Sequence, residues 1–211
     1  MKKSSKLTLL FLAMLLVLSC MAGCSESPDP EGSQISNFEM PADLESFIND
    51  ELLMVESLSD TLTGEWGDGH AELIALGLDG SAAMATDEYA ALKAILDEQR
   101  ETLDAYYVYA MIPTSDEDKP EYCITVDGSV EPDIYGTNYG WEIQFDEAWA
   151  GEPAAARSAW DDDVPCWSVF APVYTTDGQI ACIIGIDYPC ELVEQYPEWN
   201  RDRQGWNRLE E

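Results

Sequence analysis

The apolar residues change their spacing once, near residue 104, and that change limits the fold more than any other feature of the chain. From Leu44 onward Phe47, Ile48, Leu52, Val55, Leu58 and Leu62 recur at helical intervals, with Asp43, Asn49, Asp50, Glu56 and Asp60 on other faces. Pro41 suits a first helical turn and Gly64 ends the pattern, so a long amphipathic helix with one stripe to bury is expected. A weaker helical stretch covers 70–76 and stops at Gly77 and Gly80. A third begins at Thr86, a capping residue followed by Asp87 and Glu88, and sets Tyr89, Leu92, Ile95, Leu96, Gln99 and Leu103 on one face. Strand signals take over from there. AYYVYAMI at 105–112 and the run 122–126 flank a charged turn and read as a hairpin. Residues 127–140 are rich in Gly, Pro and Asp and read as a long loop, and 141–150 as a short helix closed by Gly151. The apolar runs 167–174 and 179–187 flank Asp177-Gly178, the strongest hairpin signal in the chain. Helices followed by strands predict an α+β fold, an antiparallel sheet covered by helices.

The first residues carry a different message. Lys2, Lys3 and Lys6 precede an apolar run at 9–18 that is too short for a comfortable membrane span, the pattern of an export signal. It ends in Met21-Ala22-Gly23-Cys24, which resembles the lipobox of bacterial lipoproteins, where small residues precede a cysteine that receives a diacylglycerol. Cys24 is the expected lipidation site. Cys20 fits less well, because the bulky Leu18 stands where a small residue is usual. Acyl chains contribute about 0.8 kcal/mol per buried methylene, so several would hold such a protein at a membrane without a helix. The expected organisation is a signal peptide over 1–23, a flexible tether rich in Pro, Ser and Gly over 24–36, one folded domain over 37–200, and a tail over 201–211. The expected location is the extracytoplasmic side of the cell membrane, reached through the lipid alone.

Removing residues 1–23 takes away three lysines and no acids, leaving 7 basic against 42 acidic residues and a formal charge of −35. Such a surface repels nucleic acid and anionic headgroups, and either serves solubility or attracts cationic ligands. Cys123, Cys166, Cys182 and Cys190 lie in the exported part, where disulfides are permitted, and four cysteines allow three pairings. There is no Cys-x-x-Cys spacing, and the only histidine is His70, so no zinc site and no cofactor are expected. The chain also lacks a Gly-x-Ser-x-Gly elbow and a phosphate-cradling glycine loop, and no enzymatic activity is expected. Asp161-Asp162-Asp163 does not match an EF-hand loop and reads as a solvated charge run.

Several segments, in this order, carry a family resemblance: YVYAMIP at 107–113, YCITVDG at 122–128, YGTNYGW at 135–141, AWAGEP at 148–153 and WSVFAPVYTTDGQIACIIGIDYP at 167–189. Together they resemble a Cache domain, the PAS-like extracytoplasmic sensor module of bacterial receptors. The resemblance covers roughly the C-terminal half, and the helix from Leu44 sits where such domains carry their N-terminal helix. It implies a central five- to six-stranded antiparallel sheet, the long helix on one face, and loops with a small helix over the other, enclosing a pocket for amino acids, amines or carboxylates. Cache domains usually lie between two membrane helices. Here no apolar span follows in 190–211, so signalling is expected to need a membrane receptor or transporter as partner.

A pocket for a small polar molecule needs aromatic or apolar walls and a few fixed polar groups. Tyr107, Tyr109, Tyr139, Trp141, Trp160 and Trp167 are candidate walls, with Tyr135 a further aromatic, and Asp133, Asp161 and Asp187 candidate charges. Aromatic and acidic groups together favour a cationic or amino-acid-like ligand. Asp187 stands out because it closes the apolar run 180–186, where a buried carboxylate is costly. A two-residue turn at Asp177-Gly178 pairs Ser168 with Asp187 on one face, whereas a three-residue turn with a Gly178 bulge shifts the pairing by one and separates them. In both registers Cys166 and Cys190 fall near the open end of the hairpin, which makes a bridge between them the leading disulfide expectation. The alternative to ligand binding is an envelope interaction protein that keeps the fold without a pocket.

Overall fold

The computed structural model describes residues 39–159 and 165–201. Helix α1 spans Ala42–Leu62, with Pro41 just before its first residue. Its buried residues Leu44, Ile48, Val55, Leu58 and Leu62 form the stripe expected from the sequence, and they pack on the last two strands. Helix α2 is Glu65–Ala75, α3 is Gly80–Met84 and α4 is Asp87–Leu103. The Thr86 hydroxyl accepts the Tyr89 N–H at 3.1 Å, so the expected cap of α4 is formed. Helix α2 starts earlier than its apolar spacing implied, because Gly64, with φ +98, turns the chain directly out of α1. Gly67 then lies against the chain at Tyr174 so closely that a Cβ there would stand 2.3 Å from the Tyr174 carbonyl oxygen.

The strands are β1 Tyr107–Pro113, β2 Tyr122–Asp127, β3 Asn138–Gly140, β4 Ala154–Ala155, β5 Cys166–Tyr174 and β6 Ile180–Pro189, with helix α5 at Ile143–Trp149 between β3 and β4. Among the described residues they form one six-stranded sheet in the order β3-β2-β1-β6-β5-β4, and every neighbouring pair is antiparallel. Strand alternation divides the side chains between two cores. Val108, Ala110, Val169, Ala171, Ile184 and Ile186 meet Leu58, Leu62, Trp66, Leu92 and Leu96 of the helical layer. On the opposite face Tyr109, Met111, Tyr122, Ile124, Phe170 and Ile183 pack with Phe145 and Ala148 of α5. This is the α+β, Cache-like arrangement expected from the sequence: a long helix on one face and a small helix on the other.

The helical face also buries His70 completely. Its Nε2 lies 2.8 Å from Thr125 Oγ1, and that hydroxyl already donates to the Ala110 carbonyl at 3.1 Å. The ring nitrogen and the Thr125 hydroxyl are therefore hydrogen-bonded to each other. The ring stacks on Trp66 at 5.5 Å. Burial pushes the His70 pKa down to about 4, with the Ala181 carbonyl a smaller influence in the other direction. The unfolded chain thus binds a proton near the ordinary histidine value, which the folded chain refuses until about pH 4. Stability is lost as pH falls through that window, by about 2 kcal/mol from this group between pH 7.5 and 5. His70→Gln keeps a donor toward Thr125 and removes the titration. Urea unfolding at the two pH values should show the wild type losing about that much more than the variant; equal losses would exclude this role.

Candidate functional site

The polar cluster is assembled where β1, β6 and β5 lie side by side. The tip of the β5–β6 hairpin uses a three-residue turn: Tyr174 pairs with Ile180, the Thr175 N–H donates to the Gln179 carbonyl, and Gly178 takes φ +81. One residue later Val173 pairs with Cys182, so Ala181 is an extra residue on β6. That bulge restores the register of the shorter turn, and Ser168 stands opposite Asp187. The two alternatives read from the sequence are thus both present, in succession. On the other flank Tyr107 lies directly across from Asp187, and Tyr109 across from Gly185.

Asp187 accepts a hydrogen bond from the Tyr109 hydroxyl at 3.0 Å and another from Ser168. The Tyr109 ring needs Gly185 beneath it, since a Cβ there would come within 2.6 Å of the ring. Tyr139 of β3 stacks on Tyr109, with centroids 6.3 Å apart, and donates its hydroxyl to Asp133 at 2.8 Å. Asp133 is held in turn by Asp127, whose carboxylate accepts the Asp133 N–H at 2.7 Å and both the N–H and hydroxyl of Ser129 at 3.0 Å. From α4, Lys93 donates to the Ser129 carbonyl and Arg100 to the Gly128 carbonyl, each at 2.8 Å. The loop that presents Asp133 is therefore fastened at its start.

The electrostatics all run one way. Burial raises the Asp187 pKa to about 6, and the charges of Asp127 and Glu142 push in the same direction, against the bonds from Ser168 and Tyr109. Burial also raises Asp127 and holds the Tyr109 and Tyr139 hydroxyls well above their ordinary range. Among the described residues the ion pairs join Lys93 to Asp97, Arg100 to Glu101, Arg157 to Glu147 and Arg201 to Glu142; none engages Asp127, Asp133 or Asp187. Arg201 is buried and bidentate on Glu142 at 2.8 Å, and its Nε donates to Ser158. No group of three potential metal ligands occurs among the described residues. Carboxylates that are partly desolvated, flanked by aromatic rings and paired with no cation among the described residues suit a positively charged guest.

Tyr107, Tyr109, Asp133, Tyr139, Ser168 and Asp187 are thus brought together from the residues expected to line a pocket. Two others are not. Trp167 points to the opposite face, buried with Leu44 and Cys190, its indole N–H donating to the Ala156 carbonyl; odd and even positions of β5 face opposite sides. Trp141 belongs to a separate group at the far end of β2, where it and Tyr122 both donate to Asp146 and Lys119 lies 4.1 Å over its ring. Trp160, Asp161, Asp162, Asp163 and Cys24 lie outside the described residues. The bridge expected between Cys166 and Cys190 is not formed. Cys166 pairs with Pro189, whereas the Cys190 N–H bonds the Pro165 carbonyl, and that offset of one turns the two sulfurs to opposite faces. Asp127, Glu142 and Arg201 were not anticipated. Asp127-Gly128-Ser129 does carry the local signal of an Asx turn, whereas nothing near Arg201 marks it as buried.

No family model matches the chain, and no curated protein matches it. Among solved structures it is similar to the ligand-binding domain of the Campylobacter jejuni chemoreceptor Tlp3 in complex with 4-methylisoleucine, at 15% identity and a TM-score of 0.45, covering 69% of this chain and 52% of that one. It is also similar to the sensor domain of the V. cholerae histidine kinase DctB, at 14% identity and a TM-score of 0.49, covering 72% of this chain and 54% of that one. The chain spans about half the length of these structures. Both are sensory domains of the Cache type.

Because its folded pKa is raised, Asp187 contributes stability only while protonated: the contribution is complete below the ordinary aspartate value and lost as pH rises through about 6. Asp187→Asn removes that charge and keeps an oxygen for Tyr109. In the absence of ligand the variant should be more stable than wild type at pH 8, by up to about 3 kcal/mol, and lose the advantage at pH 4. A variant that is less stable at pH 8 by thermal unfolding would contradict the placement of a desolvated charge here.

Proposed function

We infer that this chain is an extracytoplasmic binding domain for a small ammonium-bearing molecule, held at the membrane through a lipid on Cys24. Occupancy is either passed to a membrane receptor or transporter, or serves simply to sequester the ligand. The observation that carries this reading is the convergence of Asp187, Asp133 and Asp127 around the stacked Tyr109 and Tyr139 with no basic group engaged to them among the described residues. An ammonium group offers donors to these carboxylates and a charge to the tyrosine faces. A carboxylate on the ligand would need a cation of its own, and Arg201 is already committed to Glu142. The site therefore favours amines over amino acids, and amino acids over simple carboxylates.

Thermal-shift screening followed by calorimetry with alkylamines, amino acids and carboxylates tests the order. Amines should stabilise the protein most, and Asp187→Asn should weaken the best of them on the order of 10- to 100-fold, the value of one charge-assisted hydrogen bond. A preference for carboxylates, or binding indifferent to Asp187, would sink the assignment. The anchor has a separate test: metabolic labelling with a clickable fatty acid should tag the wild type and not Cys24→Ser, and label retained in the variant would exclude Cys24.

A further inference from the structure

A cleft of about 510 Å³ opens at the β4 edge of the sheet, lined by Met40, Ile48 and Leu52 on one side, Glu147 and Glu152 on the other, and residues 153–157 with Trp199 between them. It is distinct from the Asp187 cluster. Strand β4 is the last in the sheet and pairs only with β5, Ala154 with Phe170 and Ala155 with Val169. The Ala156 N–H donates to the Ser168 carbonyl, which continues that register, so positions 154 and 156 turn their backbone groups toward β5. By the alternation of an antiparallel ladder, Ala155 turns its N–H and C=O away from the sheet, into the cleft. An edge with unspent backbone groups beside apolar walls is the arrangement that accepts an added strand. The alanine side chains leave the approach open.

The charge at the rim narrows the partner further. Arg157 is spent on Glu147, bidentate at 2.6 and 2.8 Å. Glu152 takes part in none of the ion pairs among the described residues, which leaves the rim negative on a protein of net charge −32. We propose that this cleft binds an extended peptide segment of a partner protein, apolar at alternate positions and flanked by lysine or arginine, as a seventh strand on Ala155.

The full chain in detergent would be panned against a displayed random-peptide library, and the enriched sequence synthesised. The expected consensus alternates apolar residues beside a basic one, and its binding weakens at least tenfold in Leu52→Glu, in Glu152→Lys and in Ala155→Pro. The last removes an outward N–H and no bond to β5; thermal unfolding shows whether it folds. The same contact is tested without touching the protein, by N-methylating peptide amides in turn: one position should lose at least tenfold. With no amine present, Asp187→Asn should leave peptide binding unchanged, so failure of one site is distinguishable from failure of the other. No enriched consensus, or a consensus peptide indifferent both to these substitutions and to N-methylation, would overturn the proposal. So would an Ala155→Pro-sensitive dimer in sedimentation, which assigns the edge to a second copy of the chain.

Discussion

The pairing of Ser168 with Asp187 depends on one extra residue, Ala181. The turn at the tip of the β5–β6 hairpin sets a register in which Ser168 would face Ile186, and the bulge at Ala181 moves β6 by one position before the sheet's centre is reached. Because side chains alternate with a period of two, a slip of one would exchange the faces of the whole strand. Ile184 and Ile186 would leave the helical core, and Asp187 would enter it. Burial therefore enforces the bulge: the apolar stripe of α1 needs isoleucines against it, and a carboxylate among Leu58, Val108 and Ile184 would cost several kcal/mol. The register that seats the helix is the same one that presents Asp187 to Tyr109 and Ser168.

Acids in this region meet two different fates. Glu142 receives a full guanidinium from Arg201 and is neutralised where it stands. Asp187, whose pKa Glu142 itself helps to raise, receives hydroxyl donors and no cation among the described residues. Hydroxyl bonds orient a carboxylate but do not cancel its charge, so by themselves they leave its desolvation cost standing. A structural role for Asp187 would be met as well by asparagine, without the penalty.

The division between what the sequence revealed and what it hid follows the range of the forces involved. The stripe of α1, the Thr86 cap and the β5–β6 hairpin are written in local spacing, and they appear nearly where that spacing puts them. Strands β3 and β4 were missed because Asn138-Tyr139-Gly140 and Ala154-Ala155 have the composition of turns and helices; they are strands only because β2 and β5 offer edges to them. Grouping tyrosines with tryptophans as walls ignored alternation, and so Trp167 was assigned to the wrong face and Trp141 to the wrong end of the sheet. Cys166 and Cys190 are separated only by the register that the bulge sets, in which Cys166 stands opposite Pro189 and Cys190 is offset by one. The Glu142–Arg201 pair joins residues 59 positions apart, and no local pattern announces such a contact.

Ser168 places the two candidate sites in physical contact. Its side chain bonds Asp187, and its carbonyl accepts the Ala156 N–H that holds the edge strand in register. On these proposals, a guest that drew Asp187 forward would pull on the residue to which β4 is tied, and a strand added to β4 would stiffen that tie from the other side. Any coupling that results must be reciprocal, the amine changing peptide affinity by the same factor as the peptide changes amine affinity. Were both proposals to hold, such a domain would convert occupancy into partner choice through one short segment of strand.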